Sequence, residues 1–157
     1  MSNDGDPVPA RGGATDYVGR IHWEYRPRID SDADPGEVVW AWVPFEDAPA
    51  VGKDRPIAII GRTEDHRLVA LMMSSRDHDG HPDWIAVGSG PWDRDGRPSW
   101  VRRDRVLAVA VSAVRREGAV LPAEAYGRIA GALGGPVPGR PPRVGLRTRL
   151  RRLVGRG

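Results

Sequence analysis

A mainly β fold, closed by one helix near its C-terminal end, is what this sequence predicts. Three observations predict it. Short runs rich in Val, Ile and Trp follow one another between residues 37 and 111. Gly, Pro and Asp cluster between those runs. A helical period with its own start and stop signals occupies residues 121–133. Strands this short and this closely spaced argue for a small barrel or sandwich.

Each element has its own justification. Residues 1–34 are rich in Asp, Pro, Gly and Arg and carry no sustained apolar period. They predict a mostly disordered leader, with His22, Trp23 and Tyr25 able to dock a short piece of it onto the body. The body begins at Pro35-Gly36. Glu37–Phe45 (GEVVWAWVPF with its leading Gly) reads as a strand rich in Val and Trp. The run Gly-Lys-Asp-Arg-Pro at 52–56 predicts a loop carrying two cations, Lys53 and Arg55, whose Arg-Pro pair starts the next strand, Ile57–Gly61. Leu68–Met73 is continuously apolar, as a strand buried on both faces must be. Trp84–Val87 follows, and Trp100–Val101 leads into the alternating run Val106–Val111. For the helix, Pro122 sits at the start, Glu124 in the first turn, and Gly134-Gly135 ends it. Leu121, Ala125, Ile129 and Leu133 share one of its faces. The division that results is a leader (1–34), a barrel domain (35–134), and a Pro/Gly linker with an Arg-rich tail (135–157).

The chain of 157 residues is long enough for one domain with a proper core. It has no Cys, so it has neither a disulfide framework nor a thiolate metal site, which suits a reducing cytoplasm. No apolar run approaches the roughly 20 residues that span a bilayer. The first residues lack the basic-then-apolar layout of a signal peptide. The expectation is a cytoplasmic protein with no transmembrane segment. Charge is uneven. Seven Arg and no acid lie in residues 140–157, which leaves 17 cations against 21 acids in residues 1–139, a net of −4. The basic balance therefore belongs to the tail, and the body is no general nucleic-acid sponge.

Few residues offer chemistry. Arg55 carries a planar fork that suits phosphate and can stabilise charge as that phosphate is attacked. The other reading is a salt bridge to Glu46 or Asp47. Ser74-Ser75-Arg76 follows the apolar run 68–73; a hydroxyl at a strand end orients a phosphate oxygen or a ribose hydroxyl, or simply caps a turn. No Gly-x-Ser-x-Gly elbow surrounds it, which argues against an acyl-transfer hydrolase. His78 and His81, with Asp77, Asp79 and Asp83, form a His/Asp cluster. It reads as solvated turn residues, as a zinc or manganese site, or, through His78, as a general acid or base. DHDGHPDW (77–84) and DRDGRPSW (93–100) echo each other as two turns that each feed a Trp at a strand start. They lack the third acid, the distal Glu and the spacing of an EF-hand loop. In the tail, Leu146, Leu150, Leu153 and Val154 line one side of a helical wheel rich in Arg. That pattern fits anionic lipid, RNA, an acidic partner, or a disordered basic tail.

In their order and spacing these motifs resemble the PemK/MazF toxin family, in its long actinobacterial branch, from about Pro35 to Leu133. The opening strand appears as GEVVWAWVPF and the Arg-Pro strand start as Arg55-Pro56. The strand that ends in a hydroxyl pair appears as LVALMMSS, and the Ser-x-Val-x-x-Asp signature as Ser99, Val101 and Asp104. GAVLPAEAYGRIAGAL matches the closing helix. The resemblance implies an SH3-like β-barrel of the MazF/CcdB type, usually a homodimer. It implies an endoribonuclease that cuts single-stranded RNA without metal or other cofactor, by attack of the 2′-hydroxyl on its own phosphate, and that is neutralised by an antitoxin. The family's catalytic Arg falls on Arg55. Its catalytic Thr falls on Ser74, which keeps the hydroxyl and loses the methyl that fixes the rotamer. Lys53, Ser75, Arg76 and His78 would then line the RNA path, His78 being also a possible base. The other function class open to this fold is a non-catalytic module that grips a protein or nucleic acid.

Overall fold

The computed structural model describes residues 5–28 and 32–136, without the side chains of residues 116–118. Among these, nine strands join one antiparallel sheet: β1 (Asp6–Pro7), β2 (Thr15–Asp16), β3 (His22–Trp23), β4 (Glu37–Phe45), β5 (Ala48–Arg62), β6 (Leu68–Ser74), β7 (Trp84–Gly88), β8 (Ser99–Val109) and β9 (Arg115–Val120). A turn of 3₁₀ helix (Val111–Ala113) and the helix α1 (Ala123–Leu133) complete it. The main path runs β2-β8-β6-β5-β4-β9, with β1 and β3 on β5 and β7 on β8.

The central strands are apolar throughout because both of their faces are covered. Successive side chains of a strand point to opposite faces. Val38, Ala58, Ile60, Val69, Leu71 and Met73 thus enter one core, which α1 covers through Ala125, Tyr126, Ile129 and Ala130. Val39, Ala41, Val43, Ile57, Ile59, Leu68, Ala70 and Met72 enter the other. The helix is seated by a buried hydrogen bond in which the Tyr126 hydroxyl donates to the Ile60 carbonyl at 2.9 Å. It stops at Gly134, whose φ of 84° is left-handed, a conformation glycine adopts without a Cβ clash. Helix, mainly β class and the strands 37–45 and 68–73 therefore agree with the sequence reading.

Four expectations are corrected. First, residues 52–56 are not a loop. They lie inside β5, with Lys53 opposite Val43 and Arg55 opposite Ala41; the hairpin turn falls at Glu46-Asp47. Polar residues in a strand that borders a cleft read like loop residues in sequence. Second, the leader is not disordered over residues 5–28. β1 pairs with Val51-Gly52, β2 with Leu107-Ala108, and β3 with Gly61-Arg62. Trp23 and Tyr25 pack against the Tyr126 ring at centroid distances of 6.2 and 5.0 Å. These backbone pairings leave no compositional trace. Third, the sheet is not a closed barrel, since no ladder joins β2 to β9. The leader spans part of the opening instead: the Ala14 N–H donates to the Trp42 carbonyl on β4, and the Tyr17 N–H to Val106 on β8. Fourth, Trp100–Val101 and Val106–Val109 are one strand, and β9 was missed because RREGAV is polar; it pairs only with the first half of β4. The Arg-rich tail lies outside the described residues.

Gly61 marks where the leader docks. A methyl there would stand far inside van der Waals contact with the His22 carbonyl oxygen, whereas Gly131 on α1 has open space around it. Gly61→Ala should therefore lower unfolding stability by about 1–3 kcal/mol, as overpacking does. Gly131→Ala should raise it by about 0.5–1 kcal/mol. Urea titration of the two variants checks both signs.

Candidate functional site

β5 and β6 pair from Arg62↔Leu68 to Ile57↔Met72 and then part. Continued by two residues, the same register would set Arg55 opposite Ser74. Pro56, which has no N–H to give to a ladder, stands at the split. Met73 and Ser74 stay paired with β8 on the other edge of β6, opposite Val101 and Trp100. The parting opens a cleft of about 300 Å³. Lys53, Arg55, Ser74, Ser75 and Arg76 all line it, so the separation of about twenty residues in sequence closes into one site.

The cleft's charges are unequal in a way that the composition of the body conceals. Its two acids are both matched: Asp54 is bonded to Arg115, and Asp93 to Arg97 at 2.9 Å. Lys53, Arg55 and Arg76 make no side-chain hydrogen bond or ion pair among the described residues. The salt bridge considered for Arg55 is not formed, because Glu46 goes to Arg102 at 2.8 Å. Arg55 is half-buried. Burial, then Arg105, then Arg76 pull its guanidinium below its ordinary value. It stays charged at neutral pH, since arginine begins so far above it. A partly desolvated cation beside two others is a site that an anion relieves. Arg55 also borders a second cleft, lined by Glu46, Asp47, Arg102 and Arg105 as well.

The walls are built from residues the sequence reading did not single out. Trp92 is buried, and its indole N–H donates to the Ser99 hydroxyl at 3.0 Å. The Ser99-Val101-Asp104 signature therefore has structural duties here: Ser99 anchors Trp92, Val101 enters the core, and Asp104 binds Arg102 at 2.6 Å. Trp40 lines the opposite side, with the Arg115 guanidinium 5.9 Å from its ring centroid. The two Asp-x-Asp-Gly turns hold as turns, with Gly80 at φ 79° and Gly96 at φ 70°. Their Trp residues enter β7 and β8. The hydrogen bond from the Arg97 N–H to Asp93, at 2.8 Å, had a signal in the spacing of DRDGR; the positions of Trp40 and Trp92 had none.

His78 lies behind the cleft rather than on its wall. Its Nε2 is 3.0 Å from the Ser74 hydroxyl. His81 is turned elsewhere, its Nδ1 accepting the Asp83 N–H at 3.1 Å. Among the described residues no three His, Asp or Glu side chains come together as a ligand set for a metal ion.

The split in the sheet gathers an unmatched arginine and a strand-end hydroxyl on one cleft, an arrangement that suits an anion. Residues 34–134 match the model of the PemK-like, MazF-like toxins of type II toxin–antitoxin systems. The chain belongs to that family. No curated protein matches it. Among the described residues no helix is long and apolar enough to cross a membrane.

The Asp93–Arg97 pair generates a checkable titration. Hydrogen bonds from the Arg97 side chain and backbone hold the Asp93 carboxyl down to about 2. A depressed carboxylate contributes its stabilisation above the unfolded value and loses it as pH falls through the folded one. Carboxyl NMR should place the Asp93 midpoint near 2 and, in Arg97→Ala, move it towards the usual value of about 3.9.

Proposed function

We propose that this chain is a toxin-type endoribonuclease that cuts single-stranded RNA and is silenced by a cognate antitoxin. One observation carries the reading. In a body whose net charge is negative, the cleft keeps three cations unmatched while both of its acids are neutralised. RNA supplies the missing anions at regular spacing. Family membership supports the same reaction class.

In this reading the scissile phosphate sits on Arg55, whose fork binds two of its oxygens and stabilises the pentavalent state as the ribose 2′-hydroxyl attacks. Ser74, across the split, orients the reacting ribose. Lys53, Ser75 and Arg76 hold the neighbouring backbone, Lys53 as a point charge. The groove's continuation past Arg55, towards Arg102 and Arg105, takes the chain on the other side of the cut. The antitoxin competes for the same groove with an acidic segment. Homodimerisation and a nucleic-acid contact by residues 140–157 belong to this proposal as well.

Purified protein incubated with single-stranded RNA in EDTA should leave 2′,3′-cyclic phosphate ends. Arg55→Ala should cut about 100-fold to 1,000-fold more slowly, the usual loss when one donor to the developing charge is removed. Wild-type protein that shifts RNA in a gel without cutting it would point to the non-catalytic binding module instead.

A further inference from the structure

Ser74 and His78 form a pair with more definition than a turn requires. A serine hydroxyl has one proton to give and two lone pairs to receive. The Arg76 N–H takes one lone pair at 3.1 Å. His78 Nε2 stands 3.0 Å from the same oxygen. The imidazole is clamped in that pose. It stacks on Trp84, the first residue of β7, at 3.7 Å and 5°. The Trp100 ring, from β8, meets it edge-on at 5.9 Å and 80°. The charged groups acting on it, His81, Arg76 and Asp77, all lie on its own loop; β7 and β8 present it with the two indoles.

Burial first, then His81 and Arg76, pull the His78 ring below its ordinary value, against the opposing charge of Asp77. The ring is therefore neutral at pH 7. A neutral ring can take the Ser74 proton on Nε2 only if its own proton is on Nδ1. With that bond made, Ser74 has a single lone pair left for the cleft. An oxygen in this state accepts a hydrogen bond from a hydroxyl. It has no proton with which to bind a phosphate oxygen.

We propose that Ser74 and His78 are a proton relay for the ribose 2′-hydroxyl, resting on the endoribonuclease reading above. As the 2′-oxygen bonds to phosphorus, its proton passes to Ser74 Oγ and the Ser74 proton passes to His78 Nε2. The bond from phosphorus to the 5′-oxygen breaks, and that oxygen takes a proton from solvent while the charged Arg55 stabilises it. Solvent also removes the proton on His78, so the cycle closes. His78 acts through Ser74 and is a positioning and proton-storing residue; of the two, Ser74 is the one that touches the substrate. In acid the relay reverses its polarity. The histidinium donates to Ser74, whose own proton turns to the cleft and can bind phosphate, but no base remains.

Initial cleavage rates on single-stranded RNA in EDTA, from pH 4.5 to 8, test this. The wild type should show an acid limb with its midpoint below the ordinary histidine value. His78→Gln should lose that limb and about 100-fold or more in rate at pH 7.5. Ser74→Ala should fall to the same level, and the double variant no further, because the two act as one unit. Ser74→Thr, which keeps the oxygen, should recover the acid limb that Ser74→Ala has lost. His78→Gln with the wild-type pH profile, or losses that simply multiply in the double variant, would overturn the relay; an inactive Arg55→Ala in the same assay would leave the nuclease reading standing. A wild type that never cuts would overturn both.

Discussion

The parting of β5 from β6 after the pair Ile57↔Met72 is the constraint on which the site depends. Up to that pair the two strands lie between two cores and have no freedom. Beyond it Pro56 cannot donate to a ladder, while Met73 and Ser74 keep their pairing with β8 on the other edge of β6. Arg55 and Ser74, which a continuous ladder would have paired, line one cleft instead. A backbone split of this kind is a rigid way to place functional groups, because both sides are anchored in strands rather than in loops.

Electrostatics then selects what can fill the space. Arg55, half-buried and near Arg105 and Arg76, is at a disadvantage until an anion arrives. Elsewhere in the chain arginines are spent on structure: Arg102 holds Glu46 and Asp104, and Arg105 is buried between Asp16 and the Pro44 carbonyl. The leader takes part in that second anchor, since Asp16 belongs to β2. Pairing the leader onto β5 and β8 therefore does more than cover sheet edges. It helps fix a cation that raises the potential at Arg55.

Much of this was legible in the sequence, for physical reasons that differ by element. The helix was, because a start, a stop and a 3.6-residue period all agreed over residues 121–133. The strands at 37–45 and 68–73 were, because burial on both faces forces continuous apolar runs. Arg55 and Ser74 were legible as candidate groups from their chemistry, but as one candidate site only through the family resemblance, since no local pattern encodes what brings them to one cleft. Of the leader, the docking of His22, Trp23 and Tyr25 was legible from those side chains; the pairing of β1 and β2 was not, because each is two residues long and pairs through the backbone. Nor was the position of Arg55 inside a strand, because Gly-Lys-Asp-Arg-Pro has the chemistry of a turn. The acidic sum over residues 1–139 also misled, since charge matters where it is unmatched, and matching is a three-dimensional property.

The central claim is that an unmatched Arg55 guanidinium receives a phosphate of the RNA backbone. NMR of the arginine Nε–Hε groups during titration with a 2′-O-methyl oligoribonucleotide, which cannot be cut, tests it most directly. The account predicts that the Arg55 resonance, assigned by its loss in Arg55→Lys, shifts at saturation and exchanges more slowly with water, while that of Arg67, bonded to Asp65 and lining neither cleft, stays in place. An Arg55 signal unmoved at saturation, with shifts elsewhere, would contradict it.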